Sequence, residues 1–163
     1  MTEIETDRLL LRRWRDEDLD TYARICADPE VVRYVTGPLH SPVSRARSRW
    51  PGSFATGRRG FGLWAVKHEA SGAFIGFIGL LHRNDWPEGA HKIEVGWRLD
   101  RAYRGRGLAT EGALASVLYG FEKLGLERII SIIHPSNLAS RRVAEKAGLT
   151  YQDKTRWRER DVV

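Results

Sequence analysis

Tyr103-Arg104-Gly105-Arg106-Gly107-Leu108-Ala109-Thr110 is the stretch of this chain whose residue types could do chemistry. Two glycines and few bulky side chains let the backbone turn sharply and leave its amides uncovered. A helix-like segment, Leu108 to Leu124, follows directly. The first four N–H groups of a helix lack intrahelical partners, and its dipole is positive at that end. Such a turn can grip a phosphate or pyrophosphate, and Arg104 and Arg106 add charge. The sequence points to a phosphorylated cofactor.

Two familiar phosphate turns do not fit. A P-loop needs G-x-x-x-x-G-K-[ST], and the chain has no such string. A dinucleotide fingerprint needs a third glycine where Thr110 stands. It also needs an acid about 20 residues on, where His134 and Pro135 occur. No Ser–His or Cys–His pairing is legible, so nothing suggests a covalent enzyme intermediate. Glu94, on the strand before the turn, is the first candidate base, and His82 and His91, which flank the preceding loop and titrate near neutrality, are further candidates.

The elements that would position these groups read as one α/β domain spanning residues 1–163. Arg8 to Trp14 reads as a first strand, and Asp16 as the N-cap of a helix ending at Asp28-Pro29. Pro42 to Trp50 reads as a second helix. Phe61 to Lys67 and Phe74 to His82 form a hairpin about Ser71-Gly72, and Asn84 to Ala90 is a turn. Lys92 to Leu99 is a strand in which Gly96 suggests a bulge. Leu114, Val117, Leu118, Phe121 and Leu124 form the apolar stripe of the next helix. Arg128 to His134 is β-branched and strand-like, completing a βαβ unit. Leu138 to Ala147 is a short helix, and Tyr151 to Val163 holds closing strands.

Bulk properties narrow the function classes. A chain of 163 residues can bury close to ~70% of its unfolded surface. The net charge of +6 favours acidic partners, yet no zinc-finger spacing or long Lys/Arg run supports nucleic-acid binding. Phosphorylated ligands remain the simpler partner. The single cysteine, Cys26, lies on a helical stripe with Leu19, Tyr22 and Ala23 and reads as a packed thiol. The N-terminus is not a signal peptide, no apolar run reaches the ~18 residues of a membrane span, and the expected location is cytoplasmic.

Arg104-Gly105-Arg106-Gly107-Leu108-Ala109 matches [R/Q]-x-x-G-x-[G/A] and resembles the pyrophosphate turn of the GNAT superfamily of N-acetyltransferases. It follows Glu94-Val95-Gly96-Trp97-Arg98-Leu99 and precedes Asn137-Leu138-Ala139-Ser140-Arg141-Arg142-Val143-Ala144-Glu145-Lys146-Ala147-Gly148-Leu149, in that family's order. The opening Glu5-Thr6-Asp7-Arg8-Leu9-Leu10-Leu11-Arg12 resembles the RimJ/RimL-like ribosomal-protein N-terminal acetyltransferases. One departure is that the family's last strand usually continues past Val163.

The resemblance implies a mixed, mostly antiparallel sheet with a splayed parallel pair, Lys92–Leu99 and Arg128–His134, flanked by about four helices. It implies acetyl-coenzyme A as cosubstrate, held by backbone groups of Trp97, Arg98 and Leu99 along the pantetheine arm. Amides of Arg104, Gly105, Arg106, Gly107, Leu108 and Ala109 would hold the pyrophosphate, and Asn137 and Ser140 would lie near the sulfur. The acceptor would be a primary amine, on a protein N-terminus or a small molecule, attacking directly. A homodimer stays open, and an acyl-coenzyme A sensor or a basic nucleic-acid-binding protein are the competing readings. A lysine with pKa ~10.4 pays ~4.6 kcal/mol to be neutral at pH 7, and an α-amine at ~7.8 pays ~1. Glu94 is the expected base, Ser140 steadies the thiolate, and an N–H near Val95 to Trp97 would meet the oxyanion. Trp14, Asp16, Tyr34, Trp50 and Trp86 are expected at the acceptor rim, with Tyr103 and Tyr151 as weaker acids.

Overall fold

Alternating apolar residues lay down a five-stranded antiparallel sheet in simple sequence order. The computed structural model describes residues 2–34, 61–87, 92–158 and 160–163. The strands are β1 (Ile4–Glu5), β2 (Leu9–Arg12), β3 (Leu63–His68), β4 (Phe74–His82) and β5 (Ile93–Leu99). One face carries Leu9, Leu11, Trp64, Val66, Ile78, Leu80 and Val95 in the main core. The opposite face carries Leu63 and Phe77, packed with Tyr22, Trp14 and Leu81. The period of two thus divides the sheet between two hydrophobic clusters.

Helix α1 (Asp18–Ala27) covers the second face. Asp16 does not cap it, since the N-cap is Glu17 and that side chain makes no capping bond. Asp18 does the work from inside the first turn, accepting the Arg15 N–H at 2.8 Å and pairing with Arg12. Asp28-Pro29 ends α1 as expected and starts α2 (Pro29–Val32), with the Asp28 carboxylate accepting the Glu30 N–H. The expected helix Pro42–Trp50 lies outside the described residues, as do the end of the turn after β4 and His91.

Helix α3 (Leu108–Glu122) packs on the main-core face with a stripe that keeps Val117 of the one read in sequence but not its Leu114, Leu118 and Phe121. Gly112, Ala113, Ser116, Val117 and Gly120 are buried, whereas Leu114, Leu118 and Phe121 are more than two-fifths exposed. The reason is close approach. A Cβ on Gly112 would strike Ile78, and one on Gly120 would strike Ile129, so the small-residue face is the one that fits.

Residues 128–134 do not form a strand. They make one parallel bridge to β5, Glu94 with Ile130, and then turn to the C-terminal end. Ile133 and Val163 there exchange both backbone hydrogen bonds, at 2.9 and 2.8 Å. Helix α4 (Leu138–Lys146) and a separate hairpin, β6 (Thr155–Trp157) with β7 (Arg160–Val162), complete the described chain. No helix among the described residues is long and apolar enough to cross a membrane.

Gly76 offers a test of the sheet. It sits at φ +131° opposite Leu99, and a Cβ there would overlap the carbonyl oxygen of Arg98. A backbone obstacle cannot rotate aside. Gly76→Ala is expected to cost about 3 kcal/mol in a urea titration. A cost below about 1 kcal/mol would show that β4 and β5 yield there.

Candidate active site

The turn read in sequence is built as expected. Gly105 and Gly107 stand at φ 76° and 78°, and Gly107 is the N-cap of α3. Glu111 is the first helix residue to close a backbone bond, to the Gly107 carbonyl at 3.0 Å, which leaves the amides ahead of it without helix partners. Residues 104–107 are exposed, while the Leu108 side chain is sunk in the core. The guanidinium of Arg106 lies over Tyr103, and that of Arg104 donates to the Glu30 carbonyl. Both arginine side chains are therefore engaged, and the exposed backbone is what the turn offers to an anion.

A clamp missed in the sequence holds this turn. Glu111 accepts hydrogen bonds from the Thr6 hydroxyl at 2.6 Å and the Arg8 backbone N–H at 2.9 Å. Its other oxygen pairs with the Arg8 guanidinium, which also donates to the Arg106 carbonyl at 2.9 Å. Burial pushes the Glu111 carboxyl up, but the Thr6 and Arg8 hydrogen bonds outweigh it and hold the group below the usual carboxylate range. The Thr6-Asp7-Arg8 string was legible, but its partner lies more than a hundred residues away.

Among the described residues, the outer edge of β5 is paired only at its start. Val95 donates to Ile130 at 2.8 Å and Ile130 donates to Ile93, after which residues 131–134 leave the edge. In an antiparallel ladder alternate residues direct both backbone groups to the same side. Trp97 and Leu99, in phase with Val95, therefore face the open edge. Arg98 does not, because it shares the phase of Lys92 and Asp100, which bond to Arg83 and Ile75 on the β4 side. The expectation that Arg98 offers its backbone to a cofactor is corrected on this ground. Val95 is also spent as an oxyanion donor, leaving Trp97. Nor is there a bulge at Gly96. The β4–β5 register runs unbroken from Gly76–Leu99 to His82–Ile93, and the sheet's irregularity lies at Val66/Lys67.

A cavity of about 430 Å³ opens where these strands part, and Glu94, Gly96, Trp97, Arg98, Asn137 and Ser140 all line it. Glu94 is only 7% exposed and is ion-paired to Arg83. Burial raises its carboxyl above the usual range, against the opposing pull of Arg83 and the Ile132 amide. Asn137 caps α4, its side-chain oxygen accepting the Ser140 N–H at 3.2 Å. Arg104 joins the lining, whereas Leu99 and residues 105–109 do not. Of the expected rim residues, Tyr34 is present, stacked on His134 at 5.2 Å. Trp14 packs instead against Tyr22 and Phe74, and Trp86 against Trp157. His82, Asp16, Tyr103 and Tyr151 do not reach the cavity, and Trp50 lies outside the described residues. A second hollow of about 420 Å³ lies across residues 131–133, which line both.

Arg83, His134 and the Arg98 side chain are site residues that sequence reasoning missed. Period-two alternation from Glu94 would have found Arg98, because residues 94, 96 and 98 share a face.

Comparison with known proteins gives the same architecture. The acetyltransferase (GNAT) domain family matches residues 8–150. YkkB of Bacillus subtilis, an uncharacterized protein, is 32% identical over 92% of this chain and 86% of its own length. An acetyltransferase from Agrobacterium tumefaciens superposes with a TM-score of 0.83 at 29% identity, covering 99% of this chain and 92% of that one. RimL, a ribosomal L7/L12 α-N-protein acetyltransferase solved with coenzyme A, has a TM-score of 0.78 at 14% identity, covering 99% and 94%. That last likeness is one of fold.

Proposed function

This chain belongs to the GNAT family of acetyltransferases, and on that premise we infer that it moves an acetyl group from acetyl-coenzyme A to a primary amine. The observation that carries the reading is the single cavity in which Glu94, the open β5 edge at Trp97 and the α4 N-terminus converge. The uncovered turn at 105–109 would hold the diphosphate, and Trp97 and Leu99 would pair with the pantetheine amides. The amine nitrogen attacks the thioester carbon. A carbon–nitrogen bond forms, the carbon–sulfur bond breaks, and the amine proton passes to Glu94 directly or through water. Trp97 N–H is the donor left for the carbonyl oxygen, and Ser140 is placed to steady or protonate the leaving thiolate.

The acceptor is read as a protein N-terminus or a small amine, with the Thr6–Arg8 clamp supporting a place near the RimJ/RimL-like branch. Thiol release from acetyl-coenzyme A across peptides, small amines and aminoglycosides tests this directly. Absence of release with every amine would refute it. The clamp gives a narrower expectation: Glu111→Gln should raise KM for acetyl-coenzyme A about tenfold, as loss of charged hydrogen bonds worth roughly 1.5 kcal/mol requires. The kcat should stay within twofold. An unchanged KM would free the turn from Arg8.

A further inference from the structure

Arg98 is an unusual group for the wall of this cavity. It is only 8% exposed, and among the described residues its guanidinium donates, from one nitrogen, to the Tyr22 hydroxyl at 3.0 Å and Cys26 Sγ at 3.5 Å. The Phe77 ring lies 5.5 Å from the guanidinium carbon. Burial drives the Tyr22 hydroxyl further from ionisation, against the pull of Arg98. Of the other arginines on the lining, Arg33 pairs with Glu30, Arg83 with Glu94 and Arg158 with Asp85, while the exposed Arg104 donates to the Glu30 carbonyl. No described carboxylate lies within ion-pair distance of Arg98. Residues 35–60, which join α2 to β3, contain no Asp or Glu.

A guanidinium has five donors in a flat fork, and a buried cation without an anion is costly. Such a fork matches a carboxylate bidentately. Position along β5 says which ligand would bring one. Glu94, Gly96 and Arg98 project from one face, and no atom of the described residues lies within 4 Å of where a Gly96 Cβ would be. Gly96 is a bare floor with the proposed base on one side and the cation on the other. At ~3.3 Å per residue, each stands about 7 Å from Gly96 along the strand.

Resting on the acetyl-transfer reading, we propose that Arg98 selects acceptors bearing a carboxylate within about 7 Å of the reactive amine. The amine lies over Gly96 toward Glu94, and the carboxylate takes the place beside Arg98 that no described carboxylate fills. Polycationic amines are the wrong shape of charge for this wall.

Matched acceptors test the proposal: alanine against alaninamide, and C-terminally amidated Ser-Asp-Phe against Ser-Asn-Phe. The carboxylate member of at least one pair should have a kcat/KM at least tenfold higher. Arg98→Gln should erase that preference, and Arg98→Lys should restore part of it. Calorimetry on the wild-type protein decides the matter without turnover or a folded variant. N-acetylalanine or N-acetyl-Ser-Asp-Phe-amide should bind at least tenfold more tightly than its uncharged counterpart. Equal or weaker binding of both carboxylate members overturns the role of Arg98, as does an equal loss for both members of each pair in Arg98→Gln. Failure of every amine to release thiol refutes acetyl transfer instead, and the binding comparison still stands.

Discussion

Glu94→Gln should lower kcat/KM for acetyl transfer by about 100-fold or more, the usual range for a positioned general base. Binding of acetyl-coenzyme A should stay within a factor of two. Gln keeps the volume and one acceptor oxygen, so the loss isolates proton transfer from packing. The ionisation of Glu94 adds a signature. Burial raises its carboxyl and Arg83 only partly offsets this, so wild-type activity should fall with decreasing pH from above the usual carboxylate range. The sign follows from the chemistry, because a protonated carboxyl cannot accept the amine's proton. An acceptor amine titrates in the same direction, at ~7.8 for an α-amine. The comparison that separates them is the Gln variant, which should retain the amine's limb and lose the lower one. A pH profile unchanged by the substitution, or a loss under tenfold, would move the base elsewhere.

Asp18→Ala should destabilise the protein by about 3–5 kcal/mol, the cost of stranding one member of a buried ion pair. Arg12 and Asp18 are 4% and 2% exposed and meet through two hydrogen bonds of 2.7 Å. Asp18 also accepts the Arg15 N–H, so removing it takes the carboxylate acceptor from three nitrogen donors at once. One further nitrogen of Arg12, Nε, is already buried without a partner. Near 2–4 °C per kcal/mol for a chain of this size, the melting temperature should fall by roughly 10 °C or more. Replacing both residues, Arg12→Met with Asp18→Leu, should recover much of the loss, because the desolvation cost disappears with both charges. A cost below about 1 kcal/mol for Asp18→Ala would mean water reaches the pair. The consequence extends to the site. Helix α1 begins at Asp18 and carries Tyr22 and Cys26, which hold Arg98 in place.

Local signals made the turn at 105–107 and the α4 cap legible, since glycine spacing and an Asn three residues before a Ser act within one turn of chain. Strand β4 was readable to the residue because both of its faces are buried and its flanks are polar. What failed was decided by partners distant in sequence. The hydrophobic pattern of α3 named Leu114, Leu118 and Phe121, but tight approach to Ile78 and Ile129 selected the glycines beside them. Residues 128–134 have strand composition without strand pairing, because their hydrogen bonds are divided between β5 and Val163. Glu94 could be found by its place before the turn, whereas Arg83, which tempers its charge, required the fold to bring it near.

The parting of residues 131–134 from β5 leaves a short rank of peptide groups without a partner strand among the described residues, inside the molecule rather than at its perimeter. Sheet margins of this kind ordinarily invite other polypeptides and promote aggregation. Here the margin is recessed in a cleft, so a slender chain of amides can dock where a bulkier neighbour would be turned away. Admission by girth would precede any discrimination by charge or by chemistry.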